Sequence, residues 1–295
     1  MAVVSAGAQK ISNADLTWLH KFEDDTLKPP SRTMVLDTIP GLRFAADSAF
    51  IRLFVRALKI KGSFNYPFDS ITTISKMYSP DSTFRIFTWE LQRDEGYFRQ
   101  QGAIQMKTAD GGLKLYPLLD QSDFASSPTD SVRTPQNWIG AIYYGIVLKE
   151  YKGKKYYNLF GFDDNDFAST RKWVDVLTFN TDGKPVFGAN IFDYKDDSLK
   201  APQPAYRFLL EFKKDARAKL VYDPEMDVIV FDHLISESNQ VRYRYTLIPD
   251  GSYEGFKWKD GKWVHVEDIF ANMPSDGKVP TPQPVYDENG NPIKQ

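Results

Sequence analysis

Three kinds of residue in this 295-residue chain could carry chemistry: three histidines, clustered carboxylates, and aromatic rings spaced along strand-like runs. Asp232-His233 comes nearest to an acid–base couple. Consecutive strand residues point to opposite faces, so these two side chains can pair only across a bulge. A serine nucleophile would need a sharp turn, and no Gly-x-Ser-x-Gly run is present. His233 therefore reads as a strand-end histidine satisfied by hydrogen bonds, structural rather than catalytic. His20 and His265 lie far from it along the chain, so a three-histidine metal site is not expected.

The acidic clusters suggest two further chemistries. Asp163-Asp164-Asn165-Asp166 offers hard oxygen ligands of the kind calcium takes, but Phe167 stands where a third ligand belongs and no glycine follows. A solvated loop whose Asp and Asn side chains make turns is the expectation there, and the same holds for Asp193, Asp196 and Asp197. Glu90, Asp94 and Glu95 could supply the carboxylate pair of a glycosidase, a role that depends on spatial separation and not on spacing in sequence. Nothing in the chain implies a cofactor.

Among the aromatics, Tyr143-Tyr144 and Tyr156-Tyr157 must each send one ring to either face of a strand. One ring of each pair belongs to the core. The other could line a groove for a sugar or peptide, because a flat ring with a polar tip suits both. On this argument Trp89, Tyr144, Tyr157, Trp173 and Trp258 are the candidate ligand-binding residues.

The elements that must position these groups are mostly strands. Leu16, Trp18, Leu19 and Phe22 recur at helical spacing after Asn13, a candidate N-cap, with Asp24-Asp25 and Pro29-Pro30 closing the element. Asp47–Lys61 is a clear amphipathic helix, capped by Asp47 and ended by Gly62. From Ile71 the apolar period changes to two. About thirteen strands follow, linked by turns such as Ser79–Ser82, Asn180–Gly183, Pro249–Ser252 and Lys259–Lys262. Leu220–Tyr222 and Val228–His233, joined across Asp223–Asp227, form a hairpin. Its second strand is apolar on both faces at Val228–Phe231, and so is expected to be central.

The predicted class is mainly β (α+β): N-terminal helices packed on a large antiparallel meander that is barrel-, sandwich- or propeller-like. The expected divisions are a secretory-signal remnant at 1–8, a helical region at 9–69, an antiparallel β domain at 70–270 and a proline-rich extended tail at 271–295. Ser5, Ala6 and Ala8 fit a signal cleavage site before Gln9.

Composition narrows the functions. With 42% apolar and 15% aromatic residues the chain can build a packed core. Its 37 basic and 39 acidic residues nearly balance, and no basic tract offers itself to a phosphate backbone, so nucleic acid is not an expected partner. No apolar run reaches the 18 residues of a spanning helix. The absence of cysteine excludes disulfides, thiolate metal sites and a cysteine nucleophile.

Several segments together resemble a family of exported proteins found across the Bacteroidota. They are SKMYSPDSTFRIFTWEL, KKYYNLFGFDDND, RKWVDVLTFNTDGKPVFG, YRFLLEFKKDARAKLVYD, MDVIVFDHL and IPDGSYEGFKWKDGKWVHV, spread over roughly residues 45–270. The resemblance implies a periplasmic or secreted protein and supplies no catalytic residues. The expected function is a non-enzymatic binding or scaffolding protein of the cell envelope, with an envelope protein, a peptide or a glycan as its partner. A secreted carboxylate-dependent hydrolase, glycosidase-like, is the alternative.

Overall fold

The structure is a computed structural model that describes residues 10–94, 96–195 and 197–270. The signal-like segment at 1–8, Glu95, Asp196 and the tail at 271–295 lie outside the described residues. The first helix, α1 (Asn13–Phe22), is capped by Ser12, whose hydroxyl accepts the Asp15 amide at 3.1 Å, so Asn13 is the first helical residue and not the cap. The chain does not stop at Asp24-Asp25. A single π turn at Glu23–Leu27 leads straight into α2 (Lys28–Leu36), which takes Pro29-Pro30 in its first turn. Helix α3 (Pro40–Leu58) likewise starts before Asp47. Asp47 is not its cap; it lies inside the helix, buried, and accepts the Trp89 indole N–H at 2.8 Å.

Three open sheets follow. The first is a meander of β1 (Ser75–Tyr78), β2 (Phe84–Asp94), β3 (Tyr97–Met106) and β4 (Lys114–Leu119). The second runs β5 (Ile142–Tyr151), β6 (Lys154–Asp163), β7 (Ser169–Phe179), with β8 (Pro185–Phe187) and β10 (Phe208–Lys213) sharing the outer edge of β7. The third is ordered β11 (Leu220–Asp223), β12 (Val228–Ser236), β13 (Leu247–Lys259), β14 (Lys262–Val266), β9 (Phe192–Asp193). Every strand pair in the three sheets is antiparallel except β14 with β9. The protein is thus mainly β with N-terminal helices, and among the described residues no sheet closes into a barrel. Two runs whose alternating apolar residues read as strands, 186–192 and 241–247, are not single strands in the fold. The run at 186–192 breaks into β8 and β9 around Gly188, whose φ of 92° a side chain would strain. The run at 241–247 is a turn and a short 3₁₀ segment, and β13 instead starts at Leu247 and runs through Pro249–Ser252.

Alternation along the strands stacks these pieces in chain order. On β2, Phe87, Trp89 and Leu91 face Phe50, Phe54 and Leu58 of the helices, while Phe84 and Ile86 face Tyr143, Tyr157, Leu159 and Trp173 of the second sheet. The second sheet's other face, with Phe160, Val174 and Val176, packs on Ile229, Phe231, Phe256 and Trp263 of the third. There are therefore three apolar interlayers. As expected, Val228–Phe231 is buried throughout, between β11 and β13. Phe256 sits at the middle of the last interlayer, its ring 5.0–5.6 Å from those of Phe192, Phe208 and Phe231. Phe256→Ala should therefore lower the unfolding free energy by about 3–5 kcal/mol in urea denaturation, and a loss under about 1 kcal/mol would show that this interlayer is not a true core.

Candidate functional site

The pairing of β12 with β13 is regular up to Asp232 opposite Tyr253 and resumes at Leu234 opposite Pro249. Between these points one residue, His233, faces three, Asp250-Gly251-Ser252. The extra residues form a wide bulge, and Gly251 supplies the φ of 91° that it requires. The Pro249–Ser252 segment, a turn by its residue types, thus keeps its local turn chemistry inside a strand. Asp250 Oδ1 accepts the Ser252 amide at 2.9 Å and its hydroxyl at 2.7 Å, while Oδ2 lies 2.9 Å from His233 Nδ1.

Glu254 follows the bulge. It is paired with Phe231, so it points toward the second sheet and is only 6% exposed. His265 of β14 is paired with Phe256 and points the same way, its ring 6.2 Å from that of Phe231 and 5.7 Å from that of Phe256. His265 Nε2 bonds to Glu254 Oε2. Lys200 enters from the loop between β9 and β10, its Nζ 2.8 Å from Glu254 and 2.6 Å from Asp197. His233 Nε2 stands 3.7 Å from the other Glu254 oxygen, too far for a hydrogen bond. These groups surround an open recess of about 370 Å³, completed by Glu267. A neighbouring hollow of about 430 Å³ shares His265 and Glu267 with it and extends along Asp193–Lys195.

The recess is electronegative. Its lining holds four carboxylates, Asp197, Asp250, Glu254 and Glu267, against the single ammonium of Lys200. Burial alone would raise Glu254, but the bonds from His265 and Lys200 outweigh it and hold the carboxyl below its ordinary range. Asp197 is held low in the same way, against burial, by the Lys200 bond and the Leu199 amide. Asp250 is pulled down to about 2, chiefly by the Ser252 amide, with help from the Ser252 hydroxyl and His233. These three acids therefore stay ionised at neutral pH. The order of contacts is wrong for a serine nucleophile: Asp250 lies between Ser252 and His233, whereas activation needs the imidazole in the middle. No group of three or more His, Asp or Glu among the described residues is arranged to hold a metal ion.

The aromatics singled out by sequence do not meet here. Trp89 is buried against Phe50 in the helix interlayer, and Tyr157 and Trp173 are buried between the first and second sheets. Trp258 is half-buried on Trp263 and Tyr156. Tyr144 alone is exposed, at 42%, and its hydroxyl donates to the Leu220 carbonyl at 2.6 Å. Of the carboxylates, Asp94 accepts the Gly96 amide at 2.9 Å, and Asp163 and Asp166 accept the amides of Asn165 and Ala168 at 2.8 and 2.7 Å, the turn-making role expected of that loop, but Asp163 is buried and not solvated. Glu254, Lys200 and His265 escaped the reading of isolated residues. Strand register held a signal, however: the turn at Lys259–Lys262 places His265 across from Phe256, diagonal to Glu254.

Comparison with protein-family models, curated proteins and solved structures finds no match. The geometry makes its own prediction. A carboxyl held below its unfolded value stabilises the fold above the ordinary aspartate range, and that contribution fades as pH falls toward about 2. Asp250→Asn should therefore lower the urea midpoint at pH 7 and flatten the loss of stability between pH 4 and 2. A variant whose acid limb overlays that of the parent would show that the bulge does not depend on this carboxylate.

Proposed function

We propose that the chain is an exported, non-enzymatic binding protein of the cell envelope, with the recess around Glu254 as its ligand site. The observation that carries this reading is a buried, ionised carboxylate at the foot of an open recess where acids outnumber cations. Such a lining attracts groups that bring positive charge and N–H donors. Glu254 and His265 stand on paired strands, so the acceptors are fixed in place before a ligand arrives. None of the five candidate aromatics lines the recess, which favours a basic peptide over a stacked sugar ring. Export rests on the resemblance of the sequence and on the small residues before Gln9.

Titration calorimetry with a short lysine-rich peptide should give binding that weakens as salt rises. Glu267→Gln, at an exposed position, should weaken it about tenfold, near 1.4 kcal/mol, with the melting curve unchanged. Equal binding of a neutral oligosaccharide, untouched by that substitution, would reject a charge-selected ligand. For export, native protein should carry Gln9 at its N-terminus, and recovery from the cytoplasm with Met1 intact would overturn it.

One observation favours a hydrolase as the second reading. Asp250 orients His233 through Nδ1, which leaves Nε2 turned to the recess like that of a general base. His233→Gln separates the two. Binding by the variant stays within a few-fold of the parent under the first reading, whereas under the second a hydrolytic turnover falls by about 10²-fold or more.

A further inference from the structure

A second polar seam lies where the first sheet meets the end of the second. Glu90, near the end of β2, shares the face of Phe84 and Ile86 and so turns toward the second sheet. Asp163, the last residue of β6, comes from the opposite side and is only 3% exposed. Gln100 of β3, opposite Glu90, joins them. Its Nε2 lies 2.7 Å from Glu90 Oε2 and 2.8 Å from Asp163 Oδ1, so the two hydrogens of one amide go to two different acids.

The charges facing this pair do not balance it. Asp120, beyond β4, accepts the Gln100 amide at 3.0 Å, and the Asp164 amide donates to Glu90 at 3.2 Å. Two cations are near. Arg171 of β7, opposite Asp163, is engaged with Glu211 at 3.0 Å, and Lys214 is engaged with Asp164 at 2.8 Å. From the helix side Arg43 donates to Gln92, at 3.2 Å. Among the described residues, four carboxylates thus crowd a junction that is buried at Asp163 and half-buried at Glu90, Asp120 and Asp164, and its two nearby cations are already engaged, so two such acids cannot both ionise cheaply.

We propose that the Glu90–Asp163 pair carries a single proton at neutral pH, and that this partial neutralisation keeps the first sheet joined to the second through Gln100 until mild alkali removes it. The bonds from Gln100 occupy Oε2 of Glu90 and Oδ1 of Asp163, so the proton goes to the second oxygen of either acid. Burial, then the charges of Asp164 and Asp163, push Glu90 up to about 8. Burial, against the Asn165 amide and Arg171, pushes Asp163 up to about 7. Both acids are raised, so their stabilising contribution is complete below the ordinary carboxyl range, falls progressively above it, and is gone once pH has risen through about 7 to 8.

The test uses the full chain. At pH 6 its infrared spectrum should hold the carbonyl band of a buried protonated carboxylic acid, and that band should fade by pH 9. Hydrogen exchange, corrected for its intrinsic pH dependence, should speed up at least tenfold at 89–91, 99–101 and 161–163 over the same range, while the third sheet stays protected. Glu90→Gln should abolish both changes, with Asp163→Asn as the second variant. Absence of the band in the parent chain overturns the proposal even if neither variant folds. So does an exchange profile that responds to pH equally in the parent and in Glu90→Gln.

Discussion

The middle sheet has no face of its own in water, and the rest of the molecule is arranged around that constraint. Strands β6 and β7 are buried on both sides, against the first sheet through Tyr157, Leu159 and Trp173 and against the third through Phe160, Val174 and Val176. Any polar side chain buried on these strands must find a partner inside the protein or cost roughly 1–3 kcal/mol. Asn158 finds the Trp263 indole N–H at 2.8 Å in the third sheet. Asp175 finds Arg207, a fully buried guanidinium whose Nη1 also donates to the Ser131 carbonyl at 3.1 Å. The Asn158–Trp263 bond fixes which residue of one layer lies over which residue of the next, something apolar packing alone specifies loosely, and the Asp175–Arg207 pair ties the edge of the middle sheet to the loop at Ser131.

The same constraint places the two charged seams. Strands leave an interlayer at its ends, and there the side chains that would face apolar neighbours can carry charge instead. Glu90 and Asp163 mark the end of the interlayer between the first and second sheets; Glu254, His265 and Lys200 mark the end of the one between the second and third. Their electrostatics are opposite. At Glu254 a lysine and an imidazole bond directly to the acid and keep it ionised. At Glu90 the nearby cations are bound to other acids, so burial and like charge dominate and favour the neutral form. One seam is built to hold a charge and the other to avoid one.

Much of the fold was legible because short-range chemistry agreed with it. The hairpins at 142–163 and 220–236 follow from alternation and from turn residues. Lys152 and Asp227 take positive φ at those turns as the tight geometry demands. Where reading failed, tertiary contacts overrode a sound local rule. Asp47 has the type of a helix cap, but Trp89 needs an acceptor and the helix extends past it. Pro249–Ser252 has the composition of a turn joining two strands, yet β12 pairs with residues on both sides of it. The aromatics were abundant enough to suggest a binding face, and the three interlayers absorbed most of them.

The recess stayed hidden for a different reason. Its members come from a loop near 200, a bulge near 250 and a strand near 265, and no spacing rule joins them. Their rigidity is unequal in a way that bears on how the site works. Glu254 and His265 are each held in a strand ladder, opposite Phe231 and Phe256, and ring contacts from the same two residues fix the imidazole. Lys200 hangs on the long connection between β9 and β10, tied by its own contacts to Asp197 and Glu254. The acceptors belong to the scaffold and the internal cation to a loop. A positive group arriving from solvent therefore competes with a buried ammonium carried by a loop for a carboxylate set in a strand.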